Sequence, residues 1–115
     1  MSDIAKRFPR NPLLKPSHLK PSTEGLEIAC LLNPGVFRFN NKTWMIVRVA
    51  ERPTQDEATI SFPIFTKEGA IELIKISKSD PDLDTTDARV IHYKGADYLT
   101  TLSHLRLVCS DDGVN

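Results

Sequence analysis

"NPGVFRFNNKTWMIVRVA", Asn33 to Ala50, decides the fold of this chain because its pattern occurs twice. Laid without a gap against "DARVIHYKGADYLTTLSH", Asp87 to His104, it matches strand for strand and turn for turn. Val36 meets Val90, Phe37 meets Ile91, Arg38 meets His92 and Phe39 meets Tyr93. The pair Asn40-Asn41 meets Lys94-Gly95, a two-residue hairpin signal, and Trp44-Met45 meets Tyr98-Leu99. Each copy is a polar residue, a strand, a tight turn and a second strand. Repeats of roughly 40 to 50 residues, each a small antiparallel sheet, mark the blades of a β-propeller. The alternative is a complete small barrel in which two hairpins match by chance, since hairpin patterns are degenerate.

Outward from this pair the texture stays β-rich. "LEIACLL", "ATISFPIF", "AIELIKIS" and "LRLVC" are short apolar runs bounded by Pro, Gly, Asn and Asp. Only "KEGAIELIKISK" approaches a helical period, and its Ile71, Leu73, Ile74 and Ile76 fit alternation nearly as well, so the flanking strands tip it to β. The expected class is all-β. Residues 1–25 differ: Pro9, Pro12, Pro16 and Pro21 break any period, which predicts an extended proline-rich arm lying over the body of the fold. A propeller closes with about 4 to 8 blades. Residues 26–115 have room for about the first blade and part of the second, and they stop on the turn-like "CSDDGVN". The expectation is therefore the amino-terminal part of a longer, incomplete propeller domain. Bare strand edges and apolar faces in such a piece favour instability or a homo-oligomer.

Composition narrows the function classes. With 15 basic and 15 acidic residues the chain is formally neutral, so no global field attracts nucleic acid or an anionic membrane. The basic arm offers only Phe8 for base stacking, which argues against a nucleic-acid arm. No apolar stretch reaches the roughly 20 residues that span a bilayer, and "MSDIAKRFPRNP" lacks the apolar region of a secretory signal. Cys30 and Cys109 have no metal-site spacing and read as reduced thiols, which together with the missing signal predicts a cytoplasmic protein.

Three residues stand out from the strands. Arg48 sits among Trp44, Met45, Ile46, Val47, Val49 and Ala50, all candidates for burial, and a buried guanidinium requires a partner. By alternation Arg48 shares a face with Trp44 and Ile46, while Met45, Val47 and Val49 take the other. Asn33 and Asp87 occupy equivalent places ahead of the first strand of each copy, where a propeller would aim both into its central funnel. An amide and a guanidinium that fix hydroxyls, with a carboxyl that donates a proton, suit a carbohydrate. Each has a structural alternative: Asn33 as a turn former before Pro34-Gly35, Asp87 as a loop cap, Arg48 in an ion pair. The run "SDPDLDTTDAR" starts like a calcium loop but has Thr85 at the glycine position and Ile91 at the bidentate glutamate position, so it reads as a solvated loop. His18, His92 and His104 lack zinc spacing, and no nucleotide-binding or nucleophile-elbow motif is present.

Several separated motifs together resemble the amino-terminal part of glycoside hydrolase family 130, the β-mannoside phosphorylases and β-mannosidases built on a five-bladed propeller. They are Arg10-Asn11-Pro12-Leu13-Leu14, the turn Asn33-Pro34-Gly35, the strand end Arg48-Val49-Ala50-Glu51, and Thr86-Asp87-Ala88-Arg89 with the following "VIHYKGADYLTTLS" and "SDDGV". The resemblance implies that Asp87 is the general acid. It implies that Asn33 and Arg48 hold the mannosyl unit before the scissile bond, and that Arg89 supports the aspartate. Members of the family invert the anomeric centre. The nucleophile is inorganic phosphate held by basic side chains in the phosphorylases, and water activated by a carboxylate in the mannosidases. Either set would come from later blades, so this chain alone is expected to be inactive.

No cofactor is implied beyond phosphate as a co-substrate, and the implied partner is a manno-oligosaccharide. The phosphorylase-type pattern has Glu and Pro flanking the aspartate, where this chain has Thr86 and Ala88. That departure looks more like the β-1,2-mannosidase branch, so hydrolysis is the first expectation, phosphorolysis the second, and a non-catalytic sugar binder the third.

Overall fold

Alternating patterns and turn residues produce eight strands among the described residues. The computed structural model describes residues 5–113, so Met1–Ile4 of the leader reading and Val114–Asn115 of the terminal turn lie outside it. The strands are β1 (Leu26–Phe39), β2 (Lys42–Pro53), β3 (Thr59–Phe65), β4 (Ile71–Ser77), β5 (Leu83–Asp84), β6 (Val90–Tyr93), β7 (Ala96–Leu99) and β8 (Leu102–Ser110). A single 3-10 turn, Pro16–His18, accompanies them, and the described residues contain no α-helix. The all-β class is as expected, and "AIELIKIS" is strand β4.

The strands form three antiparallel sheets: β1-β2-β8, β3-β4 and β5-β6-β7. The two copies of the repeat are the β1-β2 and β6-β7 hairpins, and their registers coincide. Phe37 pairs with Trp44 as Ile91 pairs with Tyr98, and Arg38 with Thr43 as His92 with Asp97. Both turns take positive φ at their two central residues, 51° and 60° at Asn40-Asn41 and 49° and 79° at Lys94-Gly95. That is the turn whose twist matches a right-handed hairpin. The copies diverge after Leu99. Thr100 extends the β6-β7 ladder by one bond to the Arg89 carbonyl (3.1 Å), and the chain then crosses to pair with β2 as β8. Sheet β1-β2 is thus completed by a strand from the second repeat.

β1 runs unbroken through Asn33-Pro34-Gly35, so Asn33 lies within a strand and not ahead of one as expected. The register steps between Leu32, opposite Arg48, and Gly35, opposite Ile46. This β-bulge absorbs the proline, and Asn33 takes φ 44°, a conformation asparagine tolerates.

The main apolar cluster joins the second and third sheets. Phe62, Ile76 and Ile91 are buried, with Ile60, Ile64, Ile74, Leu83, Tyr93 and Tyr98 against them. Phe62 and Tyr98 meet with ring centroids 4.6 Å apart. The first sheet buries Val47 and Val49 on one face. Its other face leaves Phe37, Phe39, Ile46, Leu105 and Leu107 exposed. The molecule is a slab of 54 × 43 × 21 Å with a radius of gyration of 18.5 Å. A compact domain of this length would have about 13 Å. The sheets therefore spread sideways instead of enclosing one common core.

Candidate functional site

β2 carries Arg48 toward an open cleft of about 670 Å³, bounded also by Pro63–Phe65 at the end of β3, Arg89 ahead of β6, and Asp97–Leu99 and Thr101–Ser103 around the β7-β8 crossing. Arg48 and Arg89 are its two arginines. The guanidinium of Arg48 donates through Nη2 to Ser103 Oγ at 3.3 Å. Alternation assigns it as expected: Val47 and Val49 are buried, and Arg48 faces the opposite way with Ile46.

The expectation of a buried, ion-paired Arg48 is corrected by the structure. The side chain is exposed and donates to a hydroxyl. The buried charge of this stretch is Glu51, at 0% exposure.

Asn33 is exposed on the bulge directly after Leu32, the β1 partner of Arg48, so the two candidate sugar-holding residues are neighbours across one ladder. Neither Asn33 nor Asp87 is part of the cleft lining. Asp87 lies beside it through Arg89. Its Oδ1 accepts the Arg89 backbone N–H at 2.8 Å and lies 3.8 Å from Arg89 Nε. The loop-cap role foreseen for Asp87 is thus present, and the Arg89 guanidinium lies within ion-pair distance of the same carboxyl. The structure brings Arg48 and Arg89 to one cleft and ties Asp87 to Arg89, while Asn33 joins only through the register of β1.

The two departures flanking Asp87 have local work. Thr86 donates both its N–H (3.0 Å) and its hydroxyl (2.8 Å) to Asp84 Oδ1, and the Ala88 carbonyl accepts from Thr100 Oγ1 at 3.2 Å. They shape the loop that presents Asp87. In the same acidic run Asp80 accepts from the Tyr93 hydroxyl at 3.0 Å and from the Asp82 N–H at 2.9 Å, as a self-bonded loop should.

Sequence reading missed one pair. His92 and Asp97 face each other across β6-β7, with Asp84 on the far side of His92, and His92 Nδ1 is hydrogen-bonded to Asp97 Oδ1. This bond and the negative charge of Asp97 raise the His92 pKa, against an opposing effect of desolvation, and Asp84 and Asp87 add lesser contributions to the rise. Asp97 also lines the cleft. The signal was present in the repeat, since His92 and Asp97 replace Arg38 and Thr43, themselves bonded at 3.4 Å.

No protein-family model matches the chain. The chain is similar to the β-1,2-mannobiose phosphorylase of Listeria innocua, with 35% identity over 113 residues, covering 93% of this chain and 32% of that protein. The solved structure of β-1,2-mannobiose phosphorylase from Listeria innocua in complex with β-1,2-mannobiose superposes with a TM-score of 0.75 over 94% of this chain and 32% of the other, again at 35% identity. The chain therefore spans about a third of the length of the relative it matches. That relative is of the enzyme type to which the quoted motifs point, so the resemblance to glycoside hydrolase family 130 holds in both sequence and fold.

Proposed function

We propose that this chain supplies the sugar-holding and acid side of a β-mannoside-active site that works by phosphorolysis. The observation that carries the reading is the 35% identity, along nearly the whole chain, to an enzyme named as a β-1,2-mannobiose phosphorylase. It favours phosphorolysis over the hydrolysis first expected from Thr86 and Ala88.

In this reading Asn33 and Arg48 hold the hydroxyls of the mannosyl unit. The planar fork of Arg48 supplies paired donors, and Ser103 steadies it from β8. Asp87 gives its proton to the departing glycosidic oxygen as the C1–O bond breaks. Arg89 fixes the direction of that carboxyl. A phosphate oxygen attacks C1 from the opposite face, so a β-mannoside yields α-mannose 1-phosphate and a free sugar. Inorganic phosphate is a co-substrate.

Product analysis tests this. The protein at its natural length, given β-1,2-mannobiose, should release mannose 1-phosphate and mannose in equal amounts, and only when phosphate is present. Release of two mannose molecules per disaccharide without phosphate would establish hydrolysis instead.

A further inference from the structure

Glu51 is a fully buried carboxylate that the proposed chemistry does not use. Both of its oxygens are engaged, and what they hold is the arm. Oε1 accepts the Ser22 backbone N–H at 2.6 Å, and Oε2 accepts the Ser22 hydroxyl at 2.6 Å. His104 Nδ1 stands 3.4 Å from Oε2. On the other side of that ring, Arg106 Nε donates to His104 Nε2 at 2.9 Å. Nε2 is therefore the acceptor, which leaves the proton on Nδ1, facing Glu51. Arg106 also reaches the arm directly, donating through Nη2 to the Lys20 carbonyl at 2.7 Å.

These side chains lie on one face of the first sheet, because Val49 pairs with His104, Val47 with Arg106 and Glu51 with Leu102. Farther along that face Leu13 and Leu14 lie over Met45 and Val108, around a cavity of about 180 Å³. The arm thus covers the face opposite Arg48. Its polar connection at Lys20–Ser22 runs through one hub on β2 and two residues on β8.

We propose that the arm is a strap, held on the first sheet by a latch whose hub is the Glu51 carboxylate, and that strap and sheet separate as a local unit when that carboxylate is lost. A buried carboxylate is tolerated only while its hydrogen bonds persist, so strap and carboxylate depend on each other. The second and third sheets draw on a different cluster, around Phe62, and do not need the latch.

Hydrogen exchange of the full chain, read segment by segment, tests this. Glu51→Leu removes both acceptors at similar volume. It should speed exchange across residues 13–24 by about tenfold or more while residues 59–77 and 90–99 keep their rates. Ser22→Ala and Arg106→Ala should speed the same segment by smaller factors, and Glu51→Gln, which keeps one acceptor for the Ser22 N–H, should fall between. If Glu51→Leu does not fold, Ser22→Ala carries the test by itself. Unchanged exchange of the arm in the variants that fold would overturn the proposal. Opening of residues 59–77 in step with the arm would overturn it too, since Glu51 would then be a core residue of the whole molecule.

Discussion

Arg48 and Glu51 share β2 but meet opposite surroundings. Alternation turns Arg48 outward to the cleft with Ser103, while Glu51 points under the arm among Ser22, His104 and Arg106. The outward residue suits a ligand and the inward one suits the fold. His92 offers a test at this scale. Its pKa is raised chiefly by the hydrogen bond and charge of Asp97. A raised folded-state pKa means that the pair stabilises the fold fully below the ordinary histidine value. That contribution is lost as pH rises through the folded value. Asp97→Asn should therefore lower the His92 midpoint in an NMR titration and flatten the dependence of stability on pH across that window. An unmoved midpoint would contradict the assignment of Asp97 as the main cause.

At the scale of elements, two glycines separate sterics from backbone conformation. Gly25, at φ 89°, ends the arm, and a Cβ there would sit 2.7 Å from Leu73 Cδ1 on β4. Gly95, at φ 79°, has nothing within 4 Å of the same position. Gly95→Ala should cost about 1 kcal/mol from the backbone alone. Gly25→Ala should cost more, about 2–3 kcal/mol, because Leu73 must also move. Urea denaturation midpoints check the order, and equal losses would show that Leu73 yields freely.

The hairpins were readable because their information is local: Asn-Asn and Lys-Gly announce the turn, and alternation sets the faces. Strand β8 pairs with β2 across about half the length of the chain, and no local pattern announces such a partner. The bulge at Asn33-Pro34-Gly35 was hidden because proline and glycine read as a break. Glu51 went unnoticed because a glutamate at a strand end reads as a solvent-facing rim, and only the arm folding over it makes it buried. The site was readable in part. Arg48 and Arg89 line one cleft, whereas Asn33 and Asp87, expected to face a common funnel, do not line it, and the bonds from Asp87 to Arg89 are contacts within a loop that motif spacing does not reveal.

Across the whole molecule, the most telling feature is the bare apolar face of the first sheet, where Phe37, Phe39, Ile46, Leu105 and Leu107 are exposed. The equivalent face of the second hairpin, with Ile91 and Tyr98, is covered by the β3-β4 sheet. A face of this kind should drive association of the chain in dilute buffer. Trp44, the sole tryptophan, stacks on Phe37 there with centroids 6.5 Å apart, so its emission reports coverage. Leu107→Glu should shift the sedimenting species toward monomer and the Trp44 emission to the red. A wild-type chain that is already monomeric at tens of micromolar would contradict this.

The proposed chemistry rests most directly on one carboxyl, in the loop between β5 and β6. Phosphate-dependent cleavage of β-1,2-mannobiose, followed in the natural-length protein with Asp87 and with Asp87→Asn, isolates it. With Asp87 as the general acid, the substitution should lower kcat by roughly 10²–10⁴-fold while circular dichroism and the unfolding midpoint stay as they were. Cleavage at the wild-type rate in a folded Asp87→Asn protein would contradict the account.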